Sequence, residues 1–308
     1  MAPAARHHGG DAMTPRLGRW LVVAVPYVWL LLFFLVPFAI VLKIALAEAV
    51  IARPPYTALV EAVDHLTYRL NVTLANFAFL FEDDLYWKAY LNSMWIAAVS
   101  TLGCLLIGYP MAYGIARARP AWRTSLLFLV ILPFWTSFLI RVYAWKVILQ
   151  GNGAINTALM SAGLIDQPLA LLYTPGAVYV GFIYSYLPFM ILPLYANLER
   201  LDMRLLEAAA DLGCKPFMAF LRITLPLSLP GIVAGSLLVF IPAVGEFVIP
   251  ELLGGPDALM IGRVLWNEFF ANRDWPVASA VAVAILLLLV VPIMAFQSAN
   301  ARGAEERR

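Results

Sequence analysis

The chain reads Glu207-Ala208-Ala209-Ala210-Asp211-Leu212-Gly213 and, nine residues later, Ile223-Thr224-Leu225-Pro226. This polar segment lies between two hydrophobic stretches. Apolar residues recur through its first half at helical intervals, at Leu198, Leu201, Leu205, Ala209 and Leu212. Gly213 can take the left-handed conformation that ends a helix, and Pro216 can begin the next one. The spacing therefore predicts two short helices that meet at an angle, and we call residues 199–230 the elbow.

The composition is that of an integral membrane protein. The 308 residues are 63% hydrophobic and only 13% charged, and the mean hydropathy is +0.83. Such a chain has too little polar surface to cover a water-soluble globule. A helix needs about 20 apolar residues to cross the hydrocarbon core. We predict an all-α protein with six transmembrane helices, at about Leu21 to Leu46, Leu91 to Ile115, Ser125 to Leu149, Ala177 to Leu198, Gly231 to Pro250 and Val277 to Phe296.

The distribution of basic residues predicts the orientation in the membrane. They concentrate before the first span, between the second and third, in the elbow and after the sixth, at Arg6, Arg16, Arg19, Arg117, Arg119, Arg123, Arg200, Arg204, Lys215, Arg222, Arg302, Arg307 and Arg308. Cytoplasmic loops carry such an excess, so we expect both termini and the elbow to be cytoplasmic. The net charge of only +2 argues for no polyanionic partner such as nucleic acid.

The sequence divides into one membrane domain and two tails. We assign residues 1–20 to a disordered cytoplasmic tail, 21–298 to the transmembrane domain and 299–308 to a second cytoplasmic tail. The first apolar run exceeds the roughly 7 to 15 residues of a signal peptide, so we expect an uncleaved span. In the long outer loop, four apolar residues predict a short amphipathic helix, namely Leu59, Val63, Leu66 and Leu70.

The sequence contains little that could catalyse a reaction. It has no Gly-x-x-x-x-Gly-Lys-Ser/Thr phosphate loop, no His-Glu-x-x-His and no paired Cys-x-x-Cys. His65 is the only histidine outside the N-terminal tail, and Cys104 and Cys214 are predicted in separate segments. We therefore expect no catalytic centre, no metal site and no cofactor. If ATP drives this protein, the nucleotide must bind to another polypeptide.

The elbow resembles the EAA loop of ABC importer permeases. Two further regions resemble the permease subunits of bacterial polyamine importers, especially the putrescine type; they are Pro133 to Trp145 with Gly151 to Asn156, and Pro242 to Gly255 with Met260 to Gly262 and Asn272 to Pro276. The resemblance covers nearly all the chain between the first and sixth spans. It implies the type I importer permease fold in a bacterial inner membrane.

The same resemblance implies partners and roles. A second homologous permease, two ATPase subunits and a periplasmic polyamine-binding protein would complete the importer, surrounded by membrane lipid. In this family the elbow docks in a groove of the ATPase and carries its movement into the membrane. The residues that match this pattern are Glu207, Ala208, Ala209, Asp211 and Gly213.

Charged and aromatic residues within the predicted spans are candidates for a solute path. A dication such as putrescine crosses a low-dielectric region only if acids or aromatic faces replace its water. The candidate path residues are Glu246, the only acid within the six predicted spans, and Trp135, Tyr143 and Arg141, which lie at a comparable outer depth in the third span. Two alternatives stay open: Glu246 can pair with Arg141 as a structural ion pair, and the aromatic residues can be interface anchors.

Other functions are also compatible with the sequence. Within the same class, the solute can be an amino acid derivative, iron or an organophosphonate. From a different class, the chain can be a stand-alone carrier or channel. A carrier would need no ATPase partner, so purification of an ATPase together with this chain would distinguish the two classes.

Overall fold

The computed structural model describes residues 15–64, 67–255 and 258–305, which are mainly helical. The α-helices are α1 Pro15–Leu30, α2 Val36–Ala45, α3 Ala75–Glu82, α4 Asp84–Arg117, α5 Pro120–Ile131, α6 Phe138–Leu149, α7 Ala154–Ser161, α8 Pro175–Leu198, α9 Arg204–Asp211, α10 Pro216–Ala219, α11 Leu225–Val244, α12 Val248–Leu253, α13 Ile261–Trp266 and α14 Trp275–Glu305. The strands are β1 Val60–Asp64 and β2 Thr67–Leu70. Short π- or 3-10-helical segments occupy Leu31–Leu35, Leu132–Trp135, Phe220–Thr224 and Asn267–Asn272.

The chain divides into two compact units, Met1–Phe77 with Trp275–Ala284 and Ala78–Asp274 with Ile285–Arg308. The helix α1 begins at Pro15 and α14 continues to Glu305, so both extend into segments that the sequence predicts as tails. Residues 1–14 and 306–308 of those tails lie outside the described residues.

The first unit contains a long apolar helix that matches the first predicted span. The helices α1 and α2 continue through the π-helical segment between them, and the apolar part runs over Val22–Ala45. Only 6% of its most apolar window is buried within the chain. Its exposed side chains include Trp29, Phe33 and Phe34, each more than half exposed. Because exposure of so much apolar surface to water is unfavourable, the helix is suited to contact with lipid.

The outer loop forms a β-hairpin, so the predicted amphipathic helix over Leu59 to Leu70 is wrong. The strands β1 and β2 pair antiparallel, with Val60 opposite Leu70 and Glu61 opposite Arg69. Two of the four apolar positions fall within the strands, and Leu66 lies outside the described residues. The four apolar residues have helical spacing, but the β-branched and aromatic residues between them favour extended backbone, and strand pairing prevails.

Three long helices form the core of the second unit. The helices α4, α8 and α11 pack against one another, and Met190, Ile191 and Leu194 on α8 are fully buried. The Tyr109 hydroxyl on α4 lies 2.9 Å from the Ser228 hydroxyl on α11. Such hydrogen bonds satisfy polar groups that hydrocarbon cannot solvate. These helices contain most of the second, fourth and fifth predicted spans.

The third predicted span, Ser125 to Leu149, is not one continuous helix. The helical stretches Pro120–Trp135 and Phe138–Ser161 meet at 88°. Thr136 and Ser137 form the break, and the Thr136 hydroxyl donates to the Pro133 carbonyl at 2.8 Å. Pro133 has no N–H to donate to the helix, which explains why the helix tightens and then ends here.

The fifth span also differs from its prediction. The helix α11 ends at Val244, and α12 begins at Val248, so Glu246 lies in a break between two helices rather than inside a span. Four described helices are long and apolar enough to cross a membrane, or five if the bent pair is one span. The sixth predicted span falls in α14, whose described apolar part, Trp275–Val290, is shorter. The count of six transmembrane helices therefore stays a prediction, and this architecture is consistent with it.

Candidate functional site

Glu246 is held by three hydrogen-bond donors in the break between α11 and α12. Its Oε1 accepts from the backbone N–H groups of Phe247 at 3.1 Å and Val248 at 2.9 Å. Its Oε2 accepts from the Tyr186 hydroxyl at 2.7 Å. The backbone donors belong to the first turn of α12, whose N–H groups have no helical partner. The break therefore positions the carboxylate and supplies two of its hydrogen-bond donors.

The break is packed closely against the start of α13. A Cβ atom added to Gly262 would overlap the Gly245 carbonyl oxygen and lie 2.7 Å from that of Glu246. The Phe247 ring stacks on the Trp266 ring, with centroids 4.4 Å apart and planes at 10°. Only glycine permits this approach, so the sequence at Gly262 helps to fix the backbone that carries Glu246.

A row of aromatic rings leads away from Glu246. The Tyr186 and Phe189 rings lie 6.1 Å apart, and the Phe189 and Phe134 rings lie 5.1 Å apart in an edge arrangement. Phe189 is 39% exposed and Glu246 is half-buried, whereas Tyr186 is buried. Phe189 and Glu246 are therefore both partly accessible, and each contacts the buried Tyr186.

Arg141 lies at the other end of this row. It is only 8% exposed, and its guanidinium carbon lies 5.1 Å from the centroid of the Phe134 ring and 5.8 Å from that of Phe138. Its Nε and Nη1 atoms have no hydrogen-bond partner. Among the described residues the ion pairs do not include one between Arg141 and Glu246. The structural ion pair that the sequence left open is therefore not formed in this structure.

The other two predicted path residues have different surroundings. Trp135 is 73% exposed, and its ring packs edge-on against Phe128 at 5.4 Å. Tyr143 is half-exposed, with the Lys146 ammonium 5.9 Å from its ring centroid. The described hydrogen bonds and ring contacts bring neither of them to Glu246. These environments are those of residues at the edge of the subunit.

Sequence reasoning missed Tyr186 and Phe189. Both lie inside the fourth predicted span, three residues apart, and therefore on one face of α8. A tyrosine in the middle of an apolar span is a polar group that needs a partner, and this signal was present in the sequence. The partner itself is 60 residues away and is revealed only by the fold.

The elbow has the local structure that its residues predict. The helix α9 ends at Asp211, and Gly213 takes φ +77°. The N–H of Gly213 donates to the Ala210 carbonyl at 2.8 Å, and that of Cys214 donates to the Ala209 carbonyl at 2.9 Å. This is the Schellman pattern of a glycine-terminated helix. Pro216 then occupies the first position of α10.

The surface of the elbow is divided between exposed and buried residues. Glu207, Ala208, Asp211 and Gly213 are exposed, whereas Ala209 is 8% exposed. Large apolar side chains are also exposed here, including Leu212 at 88% and Phe217 at 71%. Exposed apolar side chains next to a charged rim are typical of a protein contact surface. Ala209 faces the chain, and the other matched residues are free for a partner.

Aromatic contacts join the elbow to the core helices. The Phe220 ring lies 5.7 Å from the Tyr109 ring and 6.4 Å from the Tyr113 ring, both on α4 and both edge-on. Beside them is a cavity of about 180 Å³, which is lined by Tyr113, Leu206, Ala210, Cys214, Pro216, Ala219, Phe220 and Thr224. Because Tyr109 also contacts Ser228 on α11, a displacement of the elbow would act on two core helices.

Metal-binding side chains are not gathered in the described ranges. No group of three or more His, Cys, Asp or Glu side chains that could hold a metal ion occurs there. Cys104 is a buried free thiol and Cys214 is a partly buried one.

Comparison with known proteins identifies relatives over most of the chain. Residues 104–304 match the family described as "Binding-protein-dependent transport system inner membrane component". The spermidine/putrescine transport system permease protein PotB of Haemophilus influenzae is 42% identical over 286 residues, which cover 91% of this chain and 93% of that protein. PotB of Escherichia coli is 42% identical over 232 residues, which cover 75% and 84%.

A solved structure shows the same fold. A chain from the crystal structure of a bacterial ABC transporter involved in the import of the acidic polysaccharide alginate superposes with a TM-score of 0.65. The match covers 93% of this chain and 99% of that chain, at 20% sequence identity. At this identity the similarity concerns the fold alone, which is that of a type I importer permease.

Proposed function

Because this chain belongs to the family of binding-protein-dependent transport system inner membrane components, we propose that it translocates putrescine or a related polyamine in an ATP-driven importer. Membership makes it an inner-membrane permease subunit of an ABC importer and not an enzyme. The proposed substrate class rests on the 42% identity with a spermidine/putrescine permease over more than nine tenths of both chains.

The surroundings of Glu246 support a cationic solute. An ammonium group placed at the centre of a bilayer costs about 3 kcal/mol on insertion scales. The Coulomb attraction of a carboxylate 4 Å from that group is about 4 kcal/mol at an effective dielectric constant of 20. Glu246 is held in place by Tyr186 and two backbone N–H groups, and the partly exposed Phe189 ring packs against the Tyr186 ring. One carboxylate is therefore enough to offset the transfer of one end of a diamine.

The proposed partners follow from membership and from the shape of the elbow. A second permease would complete the translocation path, two ATPase subunits would bind the nucleotide, and a periplasmic polyamine-binding protein would deliver the solute. The exposed side chains of Glu207, Ala208 and Asp211 and the apolar Leu212 and Phe217 suit a groove on an ATPase. This arrangement requires both termini and the elbow to be cytoplasmic, as the basic residues predict.

We infer a mechanism in which the elbow acts on α11, the helix that precedes Glu246. Closure of the two ATPase subunits around ATP moves the elbows of both permeases. The contact of Phe220 with Tyr109 and the link from Tyr109 to Ser228 pass this movement to α4 and α11. Because Glu246 directly follows α11, its orientation changes as the pair rocks from inward-open to outward-open.

Uptake by reconstituted vesicles tests this function. Vesicles that contain the assembled complex and its binding protein should accumulate labelled putrescine or spermidine only when ATP is supplied to the ATPase side. Labelled amino acid derivatives, iron and organophosphonates serve as control solutes. If only one of these control solutes accumulates, that solute and not a polyamine is the substrate. Polyamine uptake without ATP would indicate a stand-alone carrier.

A further inference from the structure

Tyr186 makes the one described side-chain contact with Glu246. It lies in the middle of α8, is 7% exposed, and its hydroxyl donates to Glu246 Oε2 at 2.7 Å. A hydrogen bond of this length to a carboxylate belongs to the stronger class. It joins the rigid centre of the core to the irregular backbone between α11 and α12.

The direction of the Tyr186 hydroxyl is set by ring packing. Its ring stacks on Phe182, with centroids 5.9 Å apart and planes at 18°. Phe182 is fully buried, and Phe189 contacts the Tyr186 ring at 6.1 Å. A ring enclosed in this way has few orientations, so its hydroxyl points to a fixed place.

The two oxygens of Glu246 are held by different parts of the structure. The backbone N–H groups of Phe247 and Val248 both donate to Oε1, and both belong to the backbone that follows α11. Oε2 receives its described hydrogen bond from Tyr186, which stays with α8. Without the hydroxyl, the carboxylate keeps its backbone donors but loses the one described hydrogen bond that joins it to α8.

We propose that Tyr186 is a positioning residue for polyamine passage. Its hydroxyl orients the Glu246 carboxylate so that the remaining lone pairs face the ammonium group of the solute beside Phe189. The inference rests on the proposed function, because it requires Glu246 to receive a cation. A carboxylate that is already oriented does not lose side-chain freedom when the solute arrives, and this lowers the solute concentration needed for half-maximal uptake.

The test compares Tyr186→Phe with wild type in the assembled, reconstituted complex. Phenylalanine preserves the ring packing and removes only the hydroxyl. We expect KM for putrescine to rise about tenfold, the scale for loss of a hydrogen bond to a charged group, with a smaller change in the maximal rate. Tyr184→Phe is the matched control, since Tyr184 lies on the same helix, is 37% exposed and packs on Trp145. Its KM should equal that of wild type.

A double-mutant comparison separates positioning from a purely structural role. If Tyr186 acts through the carboxylate, Tyr186→Phe should leave KM unchanged when it is added to Glu246→Gln. The same fold-change in both backgrounds, or an unchanged KM in the single variant, would overturn the role of Tyr186. A wild-type complex that takes up no polyamine would overturn the proposed function as well, so the two failures are distinguishable.

Discussion

At the residue scale, the carboxylate of Glu246 has a structural role, to which we propose to add a role in transport. It accepts hydrogen bonds from the first turn of α12 and is also half-exposed. In Glu246→Gln the amide oxygen can still accept from a donor, but the negative charge is lost. We predict that uptake of putrescine falls at least about tenfold, because an ion pair worth a few kcal/mol disappears, while the complex still assembles.

Glu251→Gln is the matched control for that variant. Glu251 lies on α12, is 50% exposed and pairs with Arg263 at 2.6 Å. Its described partner is a side chain of this chain and not the proposed solute, so its change should alter uptake little. Labelled putrescine uptake per amount of assembled complex is the measurement. Equal uptake in Glu246→Gln and wild type would remove Glu246 from the solute path.

Arg141 gives a second prediction at this scale. Its guanidinium is buried, has no carboxylate partner among the described residues, and has two nitrogens that lack hydrogen-bond partners there. Burial of an unpaired charge is unfavourable, so Arg141→Met should assemble as well as wild type or better. The amount of complex that survives heating in detergent measures this. Loss of assembly would show that Arg141 is paired with an acid of another subunit.

At the element scale, the turn between α9 and α10 depends on the left-handed backbone of Gly213. No atom lies within 4 Å of a Cβ added there, so space is available and only the conformation is restrictive. A β-branched residue in this conformation costs about 1 to 2 kcal/mol. We predict that Gly213→Val inserts into the membrane but hydrolyses ATP without matching uptake, whereas Gly213→Asn stays close to wild type. The ratio of solute imported to ATP hydrolysed is the measurement.

Gly163 provides the control for that turn. It also has a positive φ, +67°, and open surroundings, but it follows α7 rather than α9. Gly163→Val therefore imposes the same backbone strain away from the elbow, and its ratio of uptake to hydrolysis should not change. If both valine variants lose coupling alike, general destabilisation explains the effect and the elbow is not specifically involved.

At the scale of the whole molecule, the chain has surfaces that it does not cover itself. The apolar first helix is almost entirely exposed, and the elbow presents Leu212 and Phe217. We predict that the purified complex contains one copy of this chain, one second permease and two ATPase subunits. Native mass spectrometry in detergent measures this stoichiometry. A stable species without any ATPase would instead favour a stand-alone carrier.

Local features of this protein were determined by the sequence alone. The length and apolarity of its spans require helices in a membrane, since hydrocarbon cannot satisfy an open backbone. Gly213 and Pro216 end one helix and begin the next through their own backbone preferences, which act without help from distant residues. The predictions of a membrane-spanning helical protein and of the elbow turn were therefore correct.

Only the tertiary structure decided which distant residues meet. The helical spacing of apolar residues in the outer loop predicted a helix, whereas pairing between distant backbone groups produces the hairpin of β1 and β2. Likewise, Glu246 had two plausible partners in the sequence, Arg141 and the solute. The packing of α8 against α11 instead placed the Tyr186 hydroxyl beside it. Side-chain partners across helices depend on how whole helices pack, and no local pattern encodes that packing.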